Sequence, residues 1–566
     1  MTTAAASTAK PLPLSGQRPL SAKEQVRRSQ ALACNIPQKN MPSCSGQAFL
    51  GVFFDGTGNN RDEDVGLHKH SNVVRLWRVH QDNSNKMKIA PPVFIRKEYI
   101  PGVGTPFKEI GEAKDSKLAF LKSSTGKAMA NGGQSRIFWG LIQTINALHR
   151  YVKRGEPLLY DDEAGKFAES KADGAWNDGI EKLKPFLATL KTVLAANKPQ
   201  VTQFNISVYG FSRGAAQARV FCNFFYKLCE NTADGYTFAG VPVRIYFLGI
   251  FDTVAAVGAT GGDIFKDEIA SGHAAWAKGN LAIHPAIERC VHFVASHEVR
   301  ASFPLDSVRY LGKYPANCFE VTYPGVHSDV GGGYRPITQG RSALPADGVS
   351  YSFSAMLPCI DMYHHAQASG VPLQIFKEMD KSSQRDFKAD QQTMEDLNAY
   401  LKADPITGPL EEMFKQRMHR YRYYRYKKLA SFADDAAKQG APAEDVQFLR
   451  LTNKDFEEKC LDYKRKYANV TAIIKREELQ QLAKQSGSTG QTSAQRKRAL
   501  LEKSIHPEDL EMWEGMHRVG ELPDALEKFF DYYVHDSIAG FAQDKVHEYQ
   551  FNGRGHFRSR TIYDKG

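Results

Sequence analysis

Apolar positions in this chain gather into short dense runs separated by longer amphipathic stretches. AFLGVFF (Ala48–Phe54) is too short for a core helix and ends in Asp-Gly-Thr-Gly-Asn-Asn, which predicts a buried strand delivering a glycine-rich loop. The same grammar recurs in QFNISVYGFSRG (Gln203–Gly214), VRIYFLGIFDTVAAVG (Val243–Gly258) and CFEVTYPGVHSDVGGG (Cys318–Gly333). CVHFVASHE (Cys290–Glu298) supplies a further strand before the last of these, and RGAAQARVFCNFFYKLCE (Arg213–Glu230) repeats at helical spacing. Strands apolar on both faces and alternating with helices predict an α/β fold, a central, mostly parallel sheet flanked by helices.

The pattern also divides the chain. Residues 1–46 are rich in Ala, Ser, Pro and Lys and read as a flexible or loosely docked arm. Residues 47–375 hold the strand–loop–helix units and form the expected catalytic domain. Residues 376–505 become charged, helical and poor in strand signals, a helical insertion or cap, and residues 506–566 regain aromatic density and are expected to pack back on the core. Within the insertion, HRYRYYRYKKLASF (His419–Phe432) interleaves Arg and Tyr. That pattern suits a helix face for anionic lipid or acyl chains, and equally a solvated helix with its tyrosines on the core. QSGSTGQTSAQRKR (Gln485–Arg498) reads as an exposed polar loop. No repeat of fixed period is present.

Composition narrows the classes. At 566 residues with 42% hydrophobic and 24% charged, the chain is long enough for a large core and is neither fibrous nor wholly disordered. Its eight cysteines show no C-x-x-C spacing, against a disulfide scaffold or a cysteine zinc site. No uninterrupted apolar run of about 18 residues exists to span a bilayer, and the first residues lack the apolar segment of a Sec signal, so cytoplasmic synthesis without Sec export is expected. Seventy-four Lys+Arg against 63 Asp+Glu give a formal charge of +11, which favours anionic partners. Without a zinc finger, RNA-recognition signature or basic zipper, nucleic acid is not an expected partner.

The candidate chemistry is that of a serine hydrolase. Gly210-Phe211-Ser212-Arg213-Gly214 fits G-x-S-x-G, in which a sharp strand-to-helix turn exposes the serine hydroxyl. A serine needs a histidine to take its proton and a carboxylate to orient that histidine. Asp252 ends the apolar run Tyr246–Phe251, and His327 lies in the glycine-rich Pro324–Gly333, giving the order Ser, Asp, His of an α/β-hydrolase. The backbone N–H groups of Arg213 and of Gly56 or Thr57 are the candidate oxyanion hole. A phosphoaspartyl reading of Phe54-Asp55-Gly56-Thr57 fails, because Phe53 stands where that chemistry wants a second aspartate. Asp55 is read as bonding its own loop; a cation shared with Asp329 is an alternative with few ligands. His535, in Tyr533-Val534-His535-Asp536-Ser537, is the alternative base, read as a structural histidine on an amphipathic helix with Phe529, Phe530 and Tyr533. His297-Glu298 and His364-His365 are read as packing or supporting groups. No cofactor is called for.

FFDGTGNN, GFSRGAAQAR, FDTVAAVG, ASHEVRASF and PGVHSDVGGGY resemble, in order, the motifs of the α/β-hydrolase family that includes antibacterial type VI secretion phospholipase effectors, and especially its first lipase-effector subfamily. MLPCIDMYHHAQASGVPL and YVHDSIAGF are similar as well. The resemblance covers about residues 47–375 strongly and the C-terminal region weakly. It implies hydrolysis of membrane glycerophospholipid acyl esters by Ser212, Asp252 and His327, with the helical insertion as lid or membrane-facing module. It implies delivery by a type VI spike protein, action in the periplasm or membrane of a target cell, and neutralisation by a cognate immunity protein. Outside the resemblance, the same triad suits a soluble intracellular serine esterase, and a degenerate hydrolase core would make a binding or scaffold protein.

Overall fold

A computed structural model describes residues 6–15, 18–33, 44–85, 91–112, 126–171, 175–256, 273, 275–341, 354–483, 492–541 and 554–565. The five runs read as strands are strands: β2 (Ser45–Phe54), β4 (Gln200–Phe211), β7 (Val241–Phe251), β8 (Cys290–Ala295) and β10 (Cys318–Tyr323), joined by β1 (Ser7–Thr8), β3 (Val93–Ile100) and the hairpin β5 (Glu230–Thr232) and β6 (Gly235–Phe238). They form a nine-stranded sheet in the order β1-β10-β8-β7-β4-β2-β3, with β6 also paired to β7. All pairs are parallel except those of the hairpin. Helices cover both faces of the sheet, which is why the central strands are apolar at consecutive positions.

Side-chain alternation sends Leu50, Val52 and Phe54 of β2 with Phe204, Ile206 and Val208 of β4 to one face. There they meet α3 (Gly126–Val152), α4 (Trp176–Ala196) and α5 (Arg213–Lys227), whose Ile142, Leu187 and Phe221 share that core. Phe49, Phe53, Tyr209 and Phe211 point to the other face, against α2 (Asn72–Val79) and α7 (Met356–Ala368). A register shift between β4 and β7 at Ile206/Ser207 inserts Tyr246 as an extra residue. As a result Tyr246 and Phe247 both serve the second face.

That second core continues into the C-terminal helices α8 (Gln391–Ala403), α9 (Leu410–Lys427), the start of α10 (Ala443–Ala483) and α12 (Asp524–Tyr533), while α11 (Pro507–His517) packs with the rest of α10 in a separate core. Leu397, Tyr421, Leu449 and Phe530 belong to the same cluster as Phe53 and Phe293, so this region completes the core on that face of the sheet. The Arg/Tyr run lies largely on α9, where its Tyr421, Arg422, Tyr424 and Arg425 are buried, as is Arg417 just before it. Arg417 donates to Asp404 at 2.8 Å and to Ser296 at 3.0 Å, Arg425 is paired with Asp536, and Tyr421 and Tyr424 are buried. A buried guanidinium is tolerated only with such partners; the tyrosines lie on the core as the second reading expected, while Arg422 and Arg425 are buried instead of facing lipid or water.

Two other sequence readings change. The arm is docked where it is described: β1 extends the sheet, Leu12 is buried and donates its N–H to Asn398, and Glu24 of α1 (Ala22–Ala33) meets His364 at 3.0 Å. Of the expected polar loop, residues up to 491 lie outside the described residues; from Ser493 to Ser504 the chain is helical. Its start is a capping box in which Thr492 Oγ1 accepts from the Gln495 N–H and Gln495 Oε1 accepts from the Thr492 N–H.

Gly214, at the start of α5, lies against the end of β2. A Cβ there would strike the carbonyl oxygens of Phe54 and Asp55. Gly214→Val is therefore expected to lower stability by about 2 kcal/mol or more, read as a drop in the urea midpoint at unchanged slope.

Candidate active site

Ser212 occupies the turn between β4 and α5 at φ 58°, ψ −126°, a backbone conformation that side-chain-bearing residues rarely adopt. The surroundings hold it there. Its N–H donates to Phe251 O at 3.0 Å and its carbonyl accepts from Val254 N at 3.2 Å, tying the turn to the end of β7. A Cβ at Gly210 would come within 2.6 Å of Ala215 Cα, so helix and strand close tightly around the serine. This is the geometry that the G-x-S-x-G pattern demands.

Asp252 follows β7 at φ 40° and donates its N–H to Phe293 O at 2.7 Å. Its Oδ2 lies 2.6 Å from His327 Nδ1. His327 opens the short helix α6 (His327–Gly331) after β10, its ring packed between Phe211 at 4.6 Å and Phe303 at 4.8 Å. The three predicted residues thus follow the carboxyl ends of β4, β7 and β10, on the edge of the sheet where α/β sites assemble. Burial raises the Asp252 carboxyl, but the charge of Arg560 and the hydrogen bond and charge of His327 outweigh it, leaving Asp252 well below the usual carboxylate range. Burial lowers His327, Asp252 opposes this, and the net shift is downward. The imidazole is accordingly neutral at neutral pH and ready to accept a proton.

The catalytic-domain model of the Tle1-like phospholipase effectors of the type VI secretion system (T6SS) matches residues 50–235 and 229–347, over half of the chain. The chain belongs to this family. A crystal structure of an uncharacterized protein from Pseudomonas aeruginosa shares the fold, with a TM-score of 0.72 at 24% identity over 99% of this chain and 84% of that one. A structure of the Tle1 effector bound to the VgrG spike of that secretion system is 22% identical over 52% of this chain and 53% of the other, with a TM-score of 0.28. No curated protein matches the chain. A Tle1-like catalytic domain makes the protein a phospholipase effector of type VI secretion, acting on target cells. Among the described residues, no helix is long and apolar enough to cross a membrane.

In this Tle1-like domain the loop after β2 reaches the serine through Thr57, whose Oγ1 accepts from Arg213 Nε. Of the two early-loop donors, the Gly56 N–H is committed to Asp55 Oδ1 at 2.8 Å, whereas among the described residues nothing accepts the Thr57 N–H. Asp55 also accepts from Ser71 at 2.6 Å and Tyr99 at 2.7 Å, and burial holds its carboxyl at about 6. Asp329 is taken up by the N–H of Val326 and by His535, whose Nδ1 lies 2.6 Å from Oδ1. His535 lies just beyond α12 instead of on it, stacked on Tyr334 at 3.8 Å. It is therefore the partner of Asp329, and His327 is the partner of Asp252. No cluster of three or more His, Cys, Asp or Glu suited to a metal occurs among the described residues.

Two further residues stand beside the site: Arg560, which the sequence did not signal, and Glu298, read there as a packing or supporting group. Arg560 donates from Nη1 to Asp252 Oδ1 and from Nη2 to Oδ2, both at 2.7 Å. Glu298 accepts from Arg300 Nε and Nη2 at 3.0 and 2.9 Å, and from the His327 N–H at 3.2 Å. Burial raises the Glu298 carboxyl, and Arg300 and Arg560 override it to hold the group at about 2 against an ordinary 4.5. A carboxyl depressed in the folded state stabilises above its unfolded value, and that stability fades as pH falls from about 4.5 through about 2. Glu298→Gln strands a buried guanidinium and is expected to cost about 3 kcal/mol at pH 7. The loss should shrink steadily between pH 5 and pH 3 in urea melts.

Proposed function

We propose that this effector hydrolyses acyl esters of membrane glycerophospholipids through Ser212, His327 and Asp252. The observation that carries the reading is the 2.6 Å contact between His327 Nδ1 and Asp252 Oδ2 at the edge where the strained Ser212 turn ends β4. Asp252 fixes the tautomer with the proton on Nδ1, which leaves Nε2 as the base. His327 takes the Ser212 proton as Oγ attacks the ester carbonyl, and the N–H groups of Arg213 and Thr57 receive the developing oxyanion. His327 then protonates the departing lysophospholipid alkoxide, and water activated by the same imidazole releases the fatty acid.

Membership of the Tle1-like family supports phospholipid as the substrate class, a type VI spike protein as carrier and a cognate immunity protein as the inhibitor in its own population. The net charge of +11 suits encounter with anionic bilayers. Fatty-acid release from phosphatidylethanolamine/phosphatidylglycerol vesicles is expected with the wild type. Ser212→Ala should lower it by about 10⁴-fold or more while leaving the thermal melt in place. Wild-type rates in that variant would remove the serine mechanism, and cleavage of short soluble esters alone would redirect it to an esterase.

A further inference from the structure

The C-terminal segment 554–565 runs from the helical region to the catalytic edge. At its start, the backbone carbonyls of His556 and Arg558 accept from Arg422 of α9, and Phe557 joins Phe456 and Trp513 in a core made by helices alone. At its end, β11 (Ile562–Tyr563) pairs in parallel with β9 (Leu305–Asp306), just past Phe303, whose ring covers His327. Between these anchors the Arg560 side chain, 2% exposed, enters the protein. Beyond its two bonds to Asp252, it donates from Nε to Phe303 O at 3.0 Å and from Nη1 to Ala295 O at 3.0 Å.

Asp252 is thereby held from every side. Oδ1 takes the Ala295 N–H at 2.8 Å and Arg560 Nη1, and Oδ2 takes His327 Nδ1 and Arg560 Nη2. A planar fork engaging both oxygens fixes the rotation of a carboxylate, which a point charge does not. It also compensates the buried negative charge, so the His–Asp pair is less ready to bind a proton than an unaccompanied pair would be.

We propose that Arg560 is a positioning residue of the hydrolytic site: it orients Asp252 toward His327 and, by neutralising that carboxylate, keeps His327 free to act as base. The assignment rests on the Ser212–His327–Asp252 reading. It also makes the C-terminal segment, far from the nucleophile in sequence, a working part of the active site.

The charged groups that bear on the His327 ring are Asp252 after β7, Glu298 and Arg300 in the loop after β8, and Arg560 through Asp252. Arg213 of α5 is coupled to Arg300. Removing the positive charge of Arg560 must favour the protonated form of the His–Asp pair, whichever member carries the proton. Initial rates on phosphatidylethanolamine/phosphatidylglycerol vesicles between pH 5 and 9 test this with full-length wild type, Arg560→Gln, Arg560→Lys and Ser212→Ala. Arg560→Gln is expected to lower kcat on the order of 10²-fold with KM retained, short of the ~10⁴-fold cost of mis-setting a triad carboxylate outright. The acid limb of its rate profile should move up by about 1 pH unit. Arg560→Lys keeps the charge and loses the fork, so its kcat falls while the limb stays within a few tenths of a unit.

A limb that does not move in Arg560→Gln overturns the charge role, whatever its rate. Wild-type kcat in Arg560→Lys overturns the orienting role, and decides the matter if the glutamine variant does not fold. An active Ser212→Ala, by contrast, defeats the underlying mechanism, so the two failures are told apart.

Discussion

A single buried carboxylate organises this protein. Asp252 is fully enclosed at the end of β7, and a charge in that position is tolerated only if its oxygens are occupied. Meeting that requirement draws in the N–H of Ala295 from β8, the ring of His327 from the loop after β10, and the guanidinium of Arg560 from the end of the chain. Segments more than 300 residues apart in sequence therefore converge because one charge must be satisfied. The strained serine turn is fixed to the same place, since its N–H is bonded to the carbonyl just before Asp252.

The surrounding polar contacts repeat the theme. Glu298 pairs with Arg300 and receives the His327 N–H, Asp329 pairs with His535, and Asp536 pairs with both Arg425 and His556. Glu298 ties the sheet domain to itself, Asp329 ties it to the C-terminal region, and Asp536 ties segments of that region to one another. The helical region is bound to the catalytic half by a shared apolar core and by these pairs, which gives a physical reason for a phospholipase effector to carry so long a C-terminal extension. Its arginines, which by composition suit a membrane face, are used up inside: Arg417 reaches Ser296 next to β8, and Arg422 holds the strand-like tail that carries Arg560.

Much of the architecture was legible because its signals are local. Runs such as Ala48–Phe54 and Tyr246–Phe251 have strand length and are apolar on both faces, and a sheet covered on both sides imposes that pattern directly on the sequence. Gly210 and Gly214 mark the serine turn because helix, turn and strand close to contact there, and any larger side chain would collide. β3 escaped notice, since Arg96, Lys97 and Glu98 interrupt the apolar run of VFIRKEYI, although at this edge of the sheet they are half-buried. The Thr492–Gln495 capping box carried a helix-start signal inside a stretch whose Gly and Ser content reads as loop.

By itself the sequence marked five strands of the sheet, the serine turn and the three candidate residues at its edge, each through signals a few positions away. Tertiary structure decided the pairings: His327 with Asp252 and His535 with Asp329, although both histidines stand in aromatic- or glycine-rich surroundings that look alike along the chain. It alone decided that Gly56 spends its N–H on Asp55, that the arginines of α9 point inward, and that Arg560 closes on Asp252. A hydrogen bond between residues hundreds of positions apart leaves no periodicity to read. Its partners are chosen only when packing brings a buried charge and a donor into the same water-free space.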